Sequence, residues 1–173
     1  MINIDKNYQI KIQKPGQKKL ITLKIYKKSN VLNGSWKWLN NEKVTSLMDK
    51  GFKKITLKDQ LNYLYKINKS KKDILFAISF KNNHIGNVGL HKINFKNKTA
   101  QFGIIIGNTN YHNKGIGKLV WYEIMSFGFN NLMLNKIYTM IAIKNIASTK
   151  IARLLGFKKM SKKFFIFKKR KKL

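Results

Sequence analysis

The sequence has no cysteine, one proline and only six acidic residues. Without cysteine, the chain can form neither disulfides nor thiolate metal sites, and it offers no cysteine nucleophile. Its three histidines, His84, His91 and His112, lack the spacing of a zinc site, so we expect no bound metal. The absence of cysteine also fits a reducing compartment, and we expect a cytoplasmic protein.

Long apolar runs are missing as well. No uninterrupted apolar stretch is long enough to cross a bilayer, so we expect no membrane span. Residues 1–11 lack the sustained apolar core of a secretory signal. The 173 residues suit one domain with a buried core, here 1–173, with 1–19 as an N-terminal hairpin extension and 168–173 as a basic tail.

Basic residues, in contrast, are unusually abundant. Thirty-seven lysines and arginines give a formal net charge of +31. Such a charge is typical of nucleic-acid binding, but only Arg153 and Arg170 are arginines, the residue best suited to bidentate phosphate and base contacts. We therefore expect a lysine-rich solvated surface that attracts anionic substrates. A nucleic-acid partner is not expected, although a non-enzymatic nucleic-acid or ribosome-binding module stays open as the alternative.

The hydrophobic pattern predicts a mixed α/β fold. Alternation predicts an N-terminal hairpin of Tyr8–Gln13 and Leu20–Tyr26, with Pro15-Gly16 at its turn. Further strands are predicted at 73–80, 85–93, 98–106, 136–143, 157–160 and 163–168. Helices are predicted from Asn30 to Leu39, at 44–48, at 57–68 behind the Thr56 and Asp59 capping signal, after Gly115, and at 147–155 with Asn145 as a cap and Gly156 at its end.

The segment that organises the chain connects the strand ending at Ile106 to the helix after Gly115. It ends in Lys114-Gly115-Ile116-Gly117-Lys118. A glycine pair at a helix start exposes backbone, and the first helical turn has N–H groups without intrahelical partners, which favours a phosphate. The segment is neither a Walker A loop nor a dinucleotide fingerprint, because Leu119 follows Lys118 and position 120 is valine.

Three motifs, which follow one another along the chain in the family's order, resemble those of the GNAT (GCN5-related) acyl-CoA N-acyltransferases. Residues 112–117 are similar to the family's Q/R-x-x-G-x-G/A motif, with His112 in place of Gln or Arg. Residues 145–148 and 155–157 resemble its N-x-x-S and L/F-G-F segments. Residues 38–44 resemble the W-x-N-x-x-x-V stretch of the branch that includes ribosomal-protein and amino-sugar acetyltransferases. The resemblance covers about residues 21–167.

This resemblance implies a GNAT-like fold, a mixed and mostly antiparallel sheet flanked by helices, and acetyl-CoA as co-substrate without a metal. It implies that the pyrophosphate of coenzyme A lies on the amides of the glycine-containing loop and that its pantetheine arm runs along the strand before it. The cofactor-binding residues implied are Ile104, Ile105, Ile106, His112, Asn113, Lys114, Gly115, Ile116, Gly117, Lys118, Asn145 and Ser148.

The catalytic groups are less well marked. Where relatives often carry a catalytic Glu the sequence has Gln101, and where many carry a Tyr acid it has Ala152. His91, at the end of a strand, is our candidate base, and Ser148 or Tyr138 could supply the acid. Positioning with water-mediated loss of the proton is the alternative.

The predicted reaction is acetyl transfer to a primary amine. A polyamine would need a carboxylate-lined pocket, which six acidic residues make unfavourable. A nucleotide-linked amino sugar suits a lysine-rich cleft better, and the N-terminal amine of a ribosomal protein is the second choice. A homodimer is possible on this reading.

Overall fold

The computed structural model describes Asp5 and residues 7–13, 20–48 and 54–169. Its sheet has eight strands in the order β1-β2-β3-β4-β5-β6-β8-β7. The strands are β1 Gln9–Gln13, β2 Leu20–Ile25, β3 Ile74–Phe80, β4 Asn83–Asn94, β5 Thr99–Ile106, β6 Lys136–Met140, β7 Lys158–Lys159 and β8 Phe164–Lys168. All neighbouring strands are antiparallel except β5 and β6, which run parallel. The predicted mixed, mostly antiparallel sheet is confirmed.

Helices cover both faces of the sheet. They are α1 Lys28–Leu32, α2 Glu42–Thr45, α3 Leu57–Lys69, α4 Ile116–Asn130 and α5 Ile146–Leu154, together with 3-10 helices at Ser35–Asn40 and Thr109–Tyr111. Helices α4 and α5 pack in the larger core on one face, where Trp121 of α4 stacks on Phe102 of β5 with ring centroids 4.5 Å apart. Helices α1 and α3 pack on the other face, where Val31 and Leu64 cover Leu75 of β3. None of the helices in the described ranges is long and apolar enough to cross a membrane.

The N-terminal hairpin and the α3 boundary agree with the sequence prediction. Strands β1 and β2 pair antiparallel from Gln9 with Lys24 to Gln13 with Leu20, while the predicted Pro15-Gly16 turn lies outside the described residues. At α3 the Thr56 hydroxyl accepts the Asp59 N–H, and the Asp59 carboxylate accepts the Thr56 N–H. This reciprocal cap is a local signal, which is why the sequence located it.

Other boundaries were wrong. Asn30 does not begin the first helix; it lies inside α1, where its side chain accepts the Lys27 N–H at 2.9 Å. The second short helix begins earlier than predicted, because Asn41 caps it by accepting the Lys43 N–H. Strand β6 ends at Met140, where its pairing with β8 ends at Phe164. Of the predicted basic tail, only Lys168 and Lys169 are described.

Candidate active site

The sheet splits between its two parallel strands. Strands β5 and β6 pair only over three residues, from Thr99 with Lys136 to Gln101 with Tyr138. The Thr139 hydroxyl then donates to the Phe102 carbonyl at 3.1 Å, and no strand pairing follows it. From this point to its end at Ile106, β5 has an edge without a strand partner among the described residues, and its backbone groups on that edge can bind a ligand.

Alternation along β5 decides which residues offer those groups. The Gly107 N–H donates to the Ile85 carbonyl of β4. Because an antiparallel strand directs the groups of alternate residues to the same neighbour, those of Ile105 also face β4, and those of Ile104 and Ile106 face the split. The Ile106 carbonyl is taken by His112, whose Nε2 lies 2.7 Å away. The backbone groups that face the split are therefore those of Ile104 and the Ile106 N–H, and the predicted pantetheine contacts at Ile104, Ile105 and Ile106 stay predictions.

The start of α4 lies beyond the end of β5. Gly115 precedes the helix with φ 75°, and Asn113 has φ 58°, a left-handed conformation that asparagine tolerates. No side chain in the described part of the chain caps the helix, so the N–H groups of Ile116, Gly117 and Lys118 have no intrahelical or side-chain partner. A Cβ built on Gly117 would have no atom within 4 Å. The exposed amides and open space suit the phosphate predicted here.

Asn145, the residue just before α5, joins this helix to the segment after α2. The Asn145 side chain accepts the Ser148 N–H at 3.0 Å, as a helix cap does, and donates to the Leu47 carbonyl after α2 at 3.2 Å. One amide N–H and one lone pair remain for a ligand. Ala152, further along the same helix, is fully buried and its methyl side chain has no proton to donate, so it cannot act as the acid.

The candidate base and one candidate acid lie in one row across three strands. His91 pairs with Gln101, and Gln101 pairs with Tyr138, so the three side chains project from the same face of the sheet. Two strand spacings separate His91 from Tyr138 by roughly 10 Å. Ser148 lies on α5, which covers the opposite face. The structure thus brings His91 and Tyr138 to the face of α1 and α3 and leaves Ser148 apart from them.

Asp73, which sequence reasoning missed, holds His91. The two side chains lie at the base of the row, with Nδ1 of His91 3.0 Å from Oδ1 of Asp73. A Cβ built on Gly89 would lie 3.1 Å from Nε2 of His91, and one on Gly103 3.8 Å from it, so the imidazole lies over two glycines. The β3–β4 hairpin was the available signal, because Ile74 pairs with Leu90 and the residues flanking this pair are neighbours.

A second histidine, His84, supports the fold at the far end of the same face. Its Nε2 lies 3.0 Å from the Gly86 carbonyl and 2.8 Å from the Asn87 side-chain oxygen, as expected for a neutral ring protonated at Nε2. Burial lowers the pKa of His84, against the weaker opposing effect of these two hydrogen bonds. Its ring also packs edge-on against Trp38, and the ring of Trp38 occupies the space beside Gly107. The described residues contain no cluster of metal ligands.

A split sheet beside an uncapped helix start is the arrangement that binds an extended, phosphate-bearing co-substrate. The sequence profile of the acetyltransferase (GNAT) domain matches residues 29–158. The chain belongs to the GNAT family, and it is an acyl-CoA-dependent N-acetyltransferase that moves an acetyl group from acetyl-CoA to an amine. The predicted ribosomal-protein and amino-sugar branch stays a prediction.

Solved structures agree with this fold. The chain is similar to spermidine N-acetyltransferase from Vibrio cholerae in complex with CoA and spermine, with a TM-score of 0.76 and 20% identity over 86% of this chain and 95% of that chain. A dodecameric structure of the same enzyme in an intermediate state gives 0.71 and 19% over 86% and 93%. A domain from Methanocaldococcus jannaschii DSM 2661 gives 0.72 and 17% over 86% and 97%. No curated protein sequence matches significantly.

Proposed function

We propose that the acetyl acceptor is the primary amine of a nucleotide-linked amino sugar and that His91 takes the proton from this amine. The observation that carries the proposal is the state of Asp73, the carboxylate at the base of the His91 row. One of its oxygens faces His91 and the Lys92 N–H, and the other accepts the Ser70 hydroxyl. Both oxygens of Asp73 thus already have hydrogen-bond partners, and neither is left unpaired to bind a cationic substrate.

This arrangement bears on the choice of acceptor. The solved neighbours include an enzyme named for spermidine, a polycation. A polycation is held by several unpaired carboxylates, and this sequence has six acidic residues in all against 37 basic ones. A substrate with its own phosphates is instead attracted by such a surface. The N-terminal amine of a ribosomal protein is the second candidate, since it would be presented on an anionic ribosome.

The site residues divide into binding and proton transfer. The first-turn amides of α4, with Lys114 and Lys118 beside them, would hold the pyrophosphate of acetyl-CoA. The free groups of Ile104 would pair with the pantetheine amides, and Asn145 would add one donor and one acceptor. The amine nitrogen attacks the thioester carbonyl carbon, the C–S bond breaks, and the amine proton passes to Nε2 of His91. The thiolate leaves and takes one proton from the hydroxyl of Tyr138, the candidate acid on the same face as His91, and Tyr138 regains a proton from solvent.

An acceptor panel tests the proposal. The protein is incubated with acetyl-CoA and, separately, with a uridine-diphosphate-linked amino sugar, a peptide carrying a ribosomal-protein N-terminus, and spermidine, and acetylated products are measured by mass spectrometry. We expect the highest kcat/KM for the nucleotide-linked sugar. Preferred acetylation of spermidine would overturn the acceptor assignment. Preferred acetylation of the peptide would move the assignment to the second candidate.

A further inference from the structure

We infer that Asp73 is a positioning residue, which holds His91 in the tautomer and orientation that leave Nε2 free to receive the substrate proton. This inference rests on the proposed function, because it adds a second group to the same site. It concerns a residue for which the sequence motifs gave no role. Asp73 lies just before β3, and His91 lies near the end of β4, so the hairpin between them brings the pair together.

The geometry around the imidazole supports this role on both sides of the ring. On one side, Nδ1 lies 3.0 Å from Oδ1 of Asp73. A carboxylate only accepts hydrogen bonds, so Nδ1 must carry the proton, and the other nitrogen is then the unprotonated one in the neutral ring. On the other side, Nε2 has no hydrogen-bond partner among the described residues and lies over Gly89 and Gly103. The absence of side chains at these glycines makes room for the imidazole ring in this position.

The carboxylate of Asp73 is itself held in place. The Ser70 hydroxyl donates to Oδ2, and the Lys92 N–H donates to Oδ1 at 3.3 Å. Both Asp73 and His91 are only about one-fifth exposed, at 20% and 22% for their side chains. From α3, Tyr63 lies close enough for partial burial and the negative charge of Asp73 to raise the pKa of Tyr63 to about 12, although 39% of the residue is exposed. Tyr63 therefore stays neutral and does not compete as a base.

Asp73 and His91 together account for the proton that the amine loses. When the amine attacks, its proton passes to Nε2 and the ring becomes an imidazolium with protons on both nitrogens. The negatively charged carboxylate of Asp73 accepts the hydrogen bond from Nδ1 and stabilises this cation, and Asp73 does not take a proton itself. The imidazolium later releases the Nε2 proton to solvent, which restores the neutral ring.

The first test needs no acceptor. Long-range proton–nitrogen NMR spectra of the histidine rings identify the protonated nitrogen in the neutral form. We expect His91 to carry its proton on Nδ1 in the wild type and to change mainly to the Nε2-protonated form in Asp73→Ala. Asp73→Asn should keep the wild-type tautomer, because the Lys92 N–H requires an acceptor beside Nδ1 and so fixes the amide oxygen there. Ser70→Ala, the matched control, removes the donor to the far oxygen of the carboxylate and the acceptor of the Lys72 N–H, leaves Oδ1 of Asp73 in place, and should keep the wild-type tautomer too. An unchanged tautomer in Asp73→Ala overturns the inference.

The second test uses turnover with the best acceptor of the panel. Asp73→Ala should lower kcat at least roughly 10-fold, with the KM for acetyl-CoA unchanged, since a triad carboxylate acts on the step that uses its histidine. In a His91→Ala background the same change should add no further loss, because the two residues act as one unit. Additive losses would give Asp73 a role independent of His91. An inactive wild type with the expected tautomers would refute the proposed acceptors and leave the positioning role standing.

Discussion

Gly117 is the residue at which phosphate binding is most easily separated from folding. It lies in the first turn of α4, and a Cβ there would meet no described atom beyond its own helical turn within 4 Å. Gly117→Val should therefore fold as the wild type does while its branched side chain occupies the space needed by the phosphate. We expect acetyl-CoA to bind at least roughly 10-fold more weakly by calorimetry, with Gly117→Ala intermediate. Unaltered affinity in a folded valine variant would place the pyrophosphate elsewhere.

The role of His91 as the base can be tested by removing its side chain. His91→Ala should lower turnover roughly 10²-fold, the range usual for one acid–base group, without changing acetyl-CoA affinity. The deficit should shrink as the pH rises, because more of the amine is then already deprotonated in solution. The control is Gln101→Ala, the neighbour in the same row, whose side chain cannot act as a base. A loss of only a few-fold with an unchanged pH profile would support catalysis by positioning and water instead.

Single residues also show where sequence reasoning reached its limit. Motifs within a few positions of one another located the glycine-containing start of α4 and the Asn145 cap, because both are local. Asp73 was missed because it lies 18 residues from His91 in the sequence, and only the pairing of β3 with β4 brings the two side chains together. The direction of the Ile105 backbone groups could not be read from the sequence for a similar reason, since it depends on which residues of β5 pair with β4.

At the scale of elements, the start of β4 carries a pH-dependent contribution to stability. Burial lowers the pKa of His84 in the folded state, so the unfolded chain binds a proton more readily. The free energy of unfolding should thus be highest at neutral pH and decrease as the pH falls below about 6.5, by at most about 1.4 kcal/mol per pH unit for one proton. Chemical denaturation at several pH values measures this slope.

The variant His84→Gln isolates that effect. Its amide can still donate to the Gly86 carbonyl or the Asn87 side chain, but it does not titrate. We expect the variant to lose the part of the slope below about pH 6.5 that His84 supplies, whatever its stability at neutral pH. An equal slope in the variant and the wild type would assign the acid sensitivity to other groups.

Element order and element boundaries were predictable to different degrees. The alternating strands and the apolar face of α4 gave the mixed sheet correctly, because each element buries a periodic face. The split between β5 and β6 could not be read from the sequence, since both strands continue as apolar runs beyond the point at which they separate. Only the pairing register shows that contact ends after Gln101 and Tyr138.

For the whole molecule, the net charge of +31 is the dominant feature. A surface of this charge increases the encounter rate of anionic substrates, and salt screens the effect. Raising the salt concentration from about 50 to about 300 mM should therefore increase the KM of the nucleotide-linked sugar several-fold. The KM of an uncharged amine should change far less. An equal salt response for both acceptors would show that the surface charge does not contribute to substrate capture.

The alternative of a nucleic-acid-binding module makes the opposite prediction at this scale. Such a module would bind unrelated duplexes tightly, with an affinity that falls steeply with salt and does not depend on acetyl-CoA. We expect only weak, nonspecific duplex binding, which a titration of labelled DNA at physiological salt measures. Submicromolar binding of unrelated duplexes there would revive that alternative alongside the enzymatic one.

We propose that acetyl-CoA lies in the split between β5 and β6 with its pyrophosphate on the first turn of α4. Amide NMR spectra recorded during titration with coenzyme A test this placement most directly. We expect the largest shifts at Ile116, Gly117 and Lys118, smaller ones at Ile104 and Asn145, and none in the β1–β2 hairpin. Unchanged first-turn amides at millimolar coenzyme A, or shifts confined to another surface, would contradict it.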